Sequence, residues 1–570
     1  MLEAKREVIK VVAEETGEKI VLEDVDYSPH ADLSTNMCFR LAKAAGKSPV
    51  KLAEELAGRI KPSGLIKGCE AKNGFLNFFI DYAEFGRRVL ADAAKKDYGK
   101  GEPKKTKIVL EHTSVNPSGP VHVGRLRNSI IGDSLRRILS YAGFEVETRY
   151  WVNDVGKQIA MIALGESEKI KKNSELEEIY ADHMDKKDYP VFISYASSAA
   201  FFEEDSNFQN RVQGIIHDVE SGNKSSMHEL KEVARRCLEG QKQTYDRLGF
   251  VFDAFDFESE EIESGRVFKV LEKLKKSSYW TSKEGIGSGL DLSEFGIEKR
   301  SGLSVCERED GTTVYLARDI SYHLEKFRHG DILINVLGED HKLEFEELMV
   351  ILTKILKNTT PVEAVHFSFV NFEGKKLSTR RGETLPVDML LAEAEEKALA
   401  EIRKRGIGSE DTAPVIGAGA VKYHIIKTAP SKPITFKWED ALSFEGDAAP
   451  YIQYAHARSA RILEKAGVKT DDIKAGKLDL HDLHETEETL IRELSKFTET
   501  IGKAAQERKP HLIATYVLEL ASQYSRFYKE CQVLTEDEKL MNRRLVMVYA
   551  AKNTIKIALD LLGIDAPERM

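Results

Sequence analysis

The feature that most constrains this chain is an order of elements that begins at Lys107. Ile108-Val-Leu110 is a short apolar run of the kind found in a parallel strand buried on both faces. A loop rich in proline and glycine follows, Asn116-Pro-Ser-Gly-Pro120. Ile130, Ile131, Leu135, Ile138 and Leu139 then recur at helical spacing between Leu126 and Ser140, and Val146 to Val152 reads as a second strand. Strand, loop, helix and strand in this order open a doubly wound α/β sheet, whose ligands lie at the carboxyl ends of the strands.

The rest of the chain divides around that unit. Residues 1–92 read as a compact α/β module, with Val8, Ile9, Val11 and Val12 on a first helix and Gly74 to Ile80 as a strand. A lysine-rich linker with Gly99, Gly101 and Pro103 leads into residues 105–395, the doubly wound domain. Within it, residues from about 165 to 300 read as a charged helical insertion. Strands return at Thr312 to Leu316, Ile332 to Leu337 and Val365 to Val370. Residues 396–445 read as a helical connection that carries the end of the active-site half, and 446–570 as an all-α domain. Four units of this kind suit 570 residues.

Composition excludes several classes. No apolar run nears the roughly 20 residues of a membrane span, and Met1 to Lys10 lacks the apolar stretch of a signal peptide. The five cysteines are scattered without a CxxC pair, which argues against a zinc site or a disulfide framework and points to a reducing cytosol. A net charge of −10 repels phosphate globally, so any nucleic acid must meet local basic patches.

Two segments carry the chemistry. In Pro120-Val-His122-Val-Gly124-Arg125, a helix start packed against a strand end offers free N–H groups to a phosphate, and Gly124 permits close approach of a ligand. His122 and Arg125 supply donors for charge developing there. Further on, Gly374-Lys-Lys376-Leu377-Ser378-Thr-Arg380-Arg381 places four cations within seven residues, suited to gripping a triphosphate. Between them stand Tyr315 and Asp319, read as a tyrosine ending a strand and an aspartate opening or capping a helix. Gly338-Glu339-Asp340-His341 closes the strand at Ile332 to Leu337.

Asn116 to Arg125 resembles the His-Ile-Gly-His signature of class I aminoacyl-tRNA synthetases in the form found in arginyl enzymes, with Arg125 in place of the second histidine. Lys375 to Ser378 resembles the Lys-Met-Ser-Lys-Ser loop of that class, with Thr379 replacing its second lysine. Which cation between Lys375 and Arg381 meets pyrophosphate stays open. The resemblance implies a Rossmann-type class I synthetase catalytic domain, an N-terminal module that touches the tRNA elbow and an α-helical anticodon-binding domain. It implies ATP-dependent activation of L-arginine to arginyl-adenylate and transfer to the 3′-terminal adenosine of tRNA(Arg), by a cytoplasmic monomer. Mg²⁺ would accompany ATP, with no metal ligand and no zinc on the protein.

Carried over residue by residue, the resemblance implies catalytic roles for His122, Arg125 and Lys376. ATP would meet Pro120, His122, Gly124, Arg125, Gly338, Asp340, His341, Lys376, Leu377 and Ser378. Arginine would meet Glu111, Asn116, Tyr315, Asp319 and Glu339. The tRNA would meet Asn77, Tyr451, Tyr454, Arg458, Tyr528 and Met570. The rival expectations are a class I synthetase for another amino acid, and a tRNA-binding paralogue without catalysis.

Overall fold

A computed structural model describes residues 1–372, 385–406, 409–467 and 478–570. The N-terminal sheet consists of β1 (Val25–Tyr27), β2 (Leu33–Thr35), β3 (Ile66–Lys72) and β4 (Phe75–Ile80), in the antiparallel order β1-β2-β4-β3. The Leu2–Thr16 and Pro49–Arg59 helices pack on it through Val8, Val12, Leu52 and Leu56. Lys5 pairs with Glu499 at 2.8 Å and Tyr27 donates to the same carboxylate at 2.8 Å, which docks the module on the C-terminal helices.

The central sheet is parallel throughout, with β5 (Lys107–Glu111), β6 (Glu145–Val152), β7 (Ala254–Phe257), β11 (Ile332–Gly338) and β12 (Val362–Phe367) in the order β12-β11-β5-β6-β7. Ile108, Val109 and Leu110 are fully buried in the middle strand, so truncating Leu110 to alanine would cost about 2–5 kcal/mol. The chain winds from β5 towards β7 and returns on the other side at β11. The strand order therefore reverses between β5 and β11, where Glu111 sits opposite Asn335. A crevice at such a switch point is where an open sheet holds its ligand.

The Val123–Tyr141 helix crosses the sheet, burying Leu126, Ile130, Leu135 and Ile138. It approaches closely because Gly132 lacks a side chain: a Cβ there would lie 2.1 Å from Cγ of buried His112.

The insertion is less uniformly helical than its sequence implies. Helices Asp188–Glu204, Ser206–Glu220 and Lys224–Arg247 are followed by β7, which rejoins the main sheet. An antiparallel sheet of β8 (Trp280–Lys283), β9 (Gly287–Leu290) and β10 (Ser304–Glu307) then forms. Gly289 explains part of this: a Cβ would come within 2.0 Å of the Ser304 carbonyl, so the strands pair only around a glycine. Another difference lies at Thr312 to Leu316, where only an isolated bridge of Thr313 with Glu307 forms and a helix starts at Tyr315. Burial of Ala317, Ile320 and Tyr322 along that helix outweighs the β preference of the preceding Thr-Thr-Val.

After a short parallel pair, β13 (Val370–Phe372) with β14 (Ile434–Phe436), the chain forms the helices Ala449–Lys465, Glu485–Ser495, Phe497–Glu507, His511–Glu530 and Glu538–Leu561. The β14 strand interrupts a stretch whose sequence reads as helical. No helix among the described residues is long and apolar enough to cross a membrane.

Candidate active site

The loop after β5 is strained. Thr113 and Ser114 have φ of 75° and 45°, a region that non-glycine residues adopt only when their surroundings compel it. Here they are compelled. Thr113 N–H donates to Asn128 Oδ1 at 2.9 Å, Ser114 Oγ accepts from Trp151 N–H at 3.1 Å, and Tyr150 Oη bonds both the amide and the carbonyl of Val115. The turn aims Glu111 and Asn116 at the crevice from opposite ends of one loop. Asn116 is exposed, and its amide donates to Gln158 Oε1 at 3.1 Å, which Ser118 also approaches at 3.3 Å.

His122 is the N-cap residue of the following helix. Its ring lies over Gly124, where a Cβ would meet Nδ1 at 3.0 Å. Gly124 thus makes room for the His122 ring, in addition to leaving space for a ligand. Burial, and then the nearby Arg125 charge, push the His122 pKa down to about 4, so at neutral pH the imidazole is an uncharged donor. Arg125 is exposed and carries the positive charge at this helix start. Pro120 lies half-buried just before it.

Across the crevice, Gly338 ends β11, where a Cβ would stand 2.2 Å from Asp340 Oδ1. Asp340 and His341 are half-exposed at the rim. Glu339 turns inward and accepts from Ser368 Oγ at 2.5 Å. Beneath it, fully buried Arg127 donates to the carbonyls of Ser368, Ala429 and Lys432 at 2.6–3.0 Å.

Tyr315 and Asp319 both belong to the Tyr315–Lys326 helix, one turn apart, and so share a face. This replaces the expected strand-end tyrosine and helix-capping aspartate: the N-cap residue is Val314. Tyr315 is 56% exposed, with the Arg318 guanidinium 5.0 Å from its ring centroid. Arg318 is buried and donates to Glu258 at 2.5 Å. Burial works against ionisation of Asp319, but His323 and Lys326 overcome it and hold its pKa below the usual carboxylate value. Asp319 Oδ1 lies 3.0 Å from His323 Nδ1. Lys326 in turn binds Glu111 at 2.5 Å.

The structure therefore brings Glu111, Asn116, His122, Gly124, Arg125, Tyr315, Asp319, Glu339, Asp340 and His341 to the carboxyl end of the sheet. Lys376, Leu377 and Ser378 lie outside the described residues. Three side chains that join this cluster, His323, Lys326 and Asn335, have no role in the sequence reading. The helical spacing of Asp319, His323 and Lys326 was the available signal, but the pairing of Lys326 with β5 and β11 is tertiary.

The distal residues separate into two groups. Asn77 is only 5% exposed and its Oδ1 accepts from Ser28 at 2.9 Å, although it alternates with core-facing Leu76 and Phe78 and shares the other face of β4 with Phe75. Tyr451, Tyr454 and Arg458 line one cavity of about 480 Å³ with Arg405 and Phe444. The Arg458 guanidinium lies 4.6 Å from the Tyr454 ring centroid and 5.1 Å from that of Tyr528. Met570 packs half-buried against the core, near the carbonyls of Asp565 and Pro567 that accept from Gln453 and His456.

Known proteins share this arrangement along the whole chain. Family models described as arginyl tRNA synthetase N terminal domain, tRNA synthetases class I (R) catalytic domain and DALR anticodon binding domain match residues 3–80, 88–438 and 452–570. The arginine–tRNA ligase of Methanocaldococcus jannaschii is 38% identical, with all of both chains covered. That of Methanothermobacter thermautotrophicus is 37% identical over 99% of this chain and 98% of its own. The structure of Thermus thermophilus arginyl-tRNA synthetase superposes with a TM-score of 0.81 at 27% identity, covering 99% of this chain and 100% of that one. A sheet reversed at β5 and β11, both signature segments and three consecutive family matches make this chain a member of the arginyl-tRNA synthetase family.

Proposed function

We propose that the chain is an arginine–tRNA ligase that activates L-arginine with ATP to arginyl-adenylate and transfers it to the 3′-terminal adenosine of tRNA(Arg). The observation that carries this reading is the placement of two carboxylates, Glu111 and Asp319, at the switch point beside the His122 helix start. A planar carboxylate suits a guanidinium fork, so Asp319 with Tyr315 takes the side chain of arginine. Glu111 takes its amino group, Asn116 steers its carboxylate, and Glu339 closes the far wall.

ATP, carrying Mg²⁺ on its phosphates as substrate, lies along Pro120, Gly124, Gly338, Asp340 and His341. The arginine carboxylate attacks the α-phosphorus in line and pyrophosphate leaves. Neutral His122 donates a hydrogen bond to the phosphoryl oxygens, and Arg125 and the Lys376–Ser378 loop balance the growing charge. The terminal ribose hydroxyl of the tRNA then attacks the arginyl carbonyl and AMP departs. Residues 1–92 bind the tRNA elbow, 105–395 hold the reaction, 396–445 complete its active-site half and 446–570 take the anticodon on Tyr451, Tyr454, Arg458 and Tyr528, with Met570 at the edge. The enzyme works as a cytoplasmic monomer.

Aminoacylation of bulk tRNA with each of the twenty amino acids tests the reading. Arginine alone should be attached, and Asp319→Ala should raise the KM for arginine far more than that for ATP. Charging with another amino acid, or equal loss for both substrates, would refute the assigned pocket.

A further inference from the structure

The two proposed poles of the arginine site stand on different elements, Glu111 at the end of β5 and Asp319 in the Tyr315–Lys326 helix, yet the protein joins them internally. Lys326 is fully buried. Its ammonium has three donors and three partners: Glu111 Oε2 at 2.5 Å, Asn335 Oδ1 at 2.9 Å and His323 Nε2 at 3.2 Å. Asn335 Nδ2 also faces His323 Nε2, at 3.4 Å. Two donors aimed at one ring nitrogen make that nitrogen the acceptor, which leaves the imidazole proton on Nδ1. Nδ1 in turn lies 2.9 Å from the Asp319 carbonyl and 3.0 Å from Asp319 Oδ1. Each group in the line Glu111–Lys326–His323–Asp319 thereby fixes the hydrogen-bonding role of the next.

This line has a geometric consequence. A free aspartate carboxylate rotates about its terminal torsion, which is broad and roughly two-fold. With Oδ1 3.0 Å from His323 Nδ1, whose N–H donates to the Asp319 carbonyl, the ring favours one plane of the carboxylate before substrate arrives. A planar guanidinium fork benefits from a fixed plane, whereas a lysine ammonium, a point charge with rotatable donors, gains little from it. Lys326 sets Glu111 in the same way at the other end. Resting on the pocket proposed above, we infer that His323 and Lys326 are positioning residues for arginine selection: they touch neither substrate and orient the two carboxylates that do.

Arginine-dependent ATP–pyrophosphate exchange by the full chain with tRNA present tests this with four variants, each checked for its thermal midpoint. His323→Asn keeps an N–H near the position of Nδ1, and His323→Gln keeps a polar group near that of Nε2. His323→Ala and His323→Gln should raise the KM for arginine roughly tenfold, the effect of losing one charge-assisted bond, with the KM for ATP within about twofold. His323→Asn should restore the arginine KM to within about threefold of wild type on the same scale. Should the alanine variant fail to fold, the contrast between asparagine and glutamine still decides. Equal KM values for those two, or parallel changes in the arginine and ATP KM, would overturn the inference. Asp319→Ala is the control. If it raises the arginine KM while the asparagine and glutamine variants behave alike, only the positioning role fails; if it leaves that KM unchanged, the pocket itself is misassigned.

Discussion

The backbone amide of Val123 donates to the carbonyl of Leu385 at 3.1 Å, and the amide of Val387 returns a bond to Val121 at 2.8 Å. These two bonds clamp the chain that follows the second signature segment against the loop that carries the first. One residue further on, Asp388 is fastened by Lys186, which also binds Asp188 and Thr244, with contacts of 2.7–2.8 Å. The start of the Val387–Arg405 helix is thus tied to the loop around His122 and to the insertion together.

Lys186→Met should unfold at lower urea, with a loss of about 3 kcal/mol, because it leaves two buried carboxylates facing each other without their cation. Burial already raises the Asp188 pKa to about 6 despite Lys186, so there is little reserve. An unchanged urea midpoint would mean that the triad contributes nothing.

Gly132→Ala should lower stability by about 1–3 kcal/mol through overpacking, since the added methyl would collide with the His112 ring. His112 Nδ1 lies 2.8 Å from Thr113 Oγ1, so the collision also disturbs the strained turn. The thermal midpoint and kcat should fall together; a variant with wild-type stability would show that the helix can shift at no cost.

Tyr315→Phe should raise the KM for arginine by about threefold to tenfold, the effect of a single lost hydrogen bond, without altering the thermal midpoint. The side chain is largely exposed, so its removal leaves no cavity. Initial rates at varied arginine and fixed ATP would measure it. A fall in stability with an unchanged KM would make Tyr315 a structural residue.

His112 and His456 are buried, and their burial lowers both pKa values to about 4 from an ordinary 6.5, with the Pro567 carbonyl opposing the shift at His456. Between those values the unfolded chain binds protons that the folded chain refuses. Stability is therefore present above about pH 6.5 and falls as pH drops towards 4, by up to about 1.4 kcal/mol per pH unit for each histidine. Urea titrations at several pH values should show this slope, and His456→Gln should make it shallower. An identical slope in the variant would place the protonation elsewhere.

The strands at Ile108-Val-Leu110 and Ile332 are legible in the sequence because burial on both faces leaves a continuous apolar run, and the helix between them because its large apolar side chains recur at helical spacing. The signature segments are legible for a related reason: a glycine or a cation required by local chemistry must stand at a set spacing. Tyr315 reads as the end of a strand because the Thr-Thr-Val before it favours one, whereas burial of Ala317, Ile320 and Tyr322 decides for a helix. For Asn77 the resemblance implies a contact with RNA; the loop residue Ser28 covers it, a neighbour that the strand's own alternation does not record.

By itself, then, the sequence determined the class of fold, the order of its parts and the two signature segments, since these follow from local periodicity and from motifs contiguous in the chain. Only the tertiary structure decided the strand order that opens a crevice between β5 and β11, and the buried contact of Lys326 with Glu111, 215 positions apart. Contacts between distant segments arise from how whole elements pack, and no local pattern of residues records them.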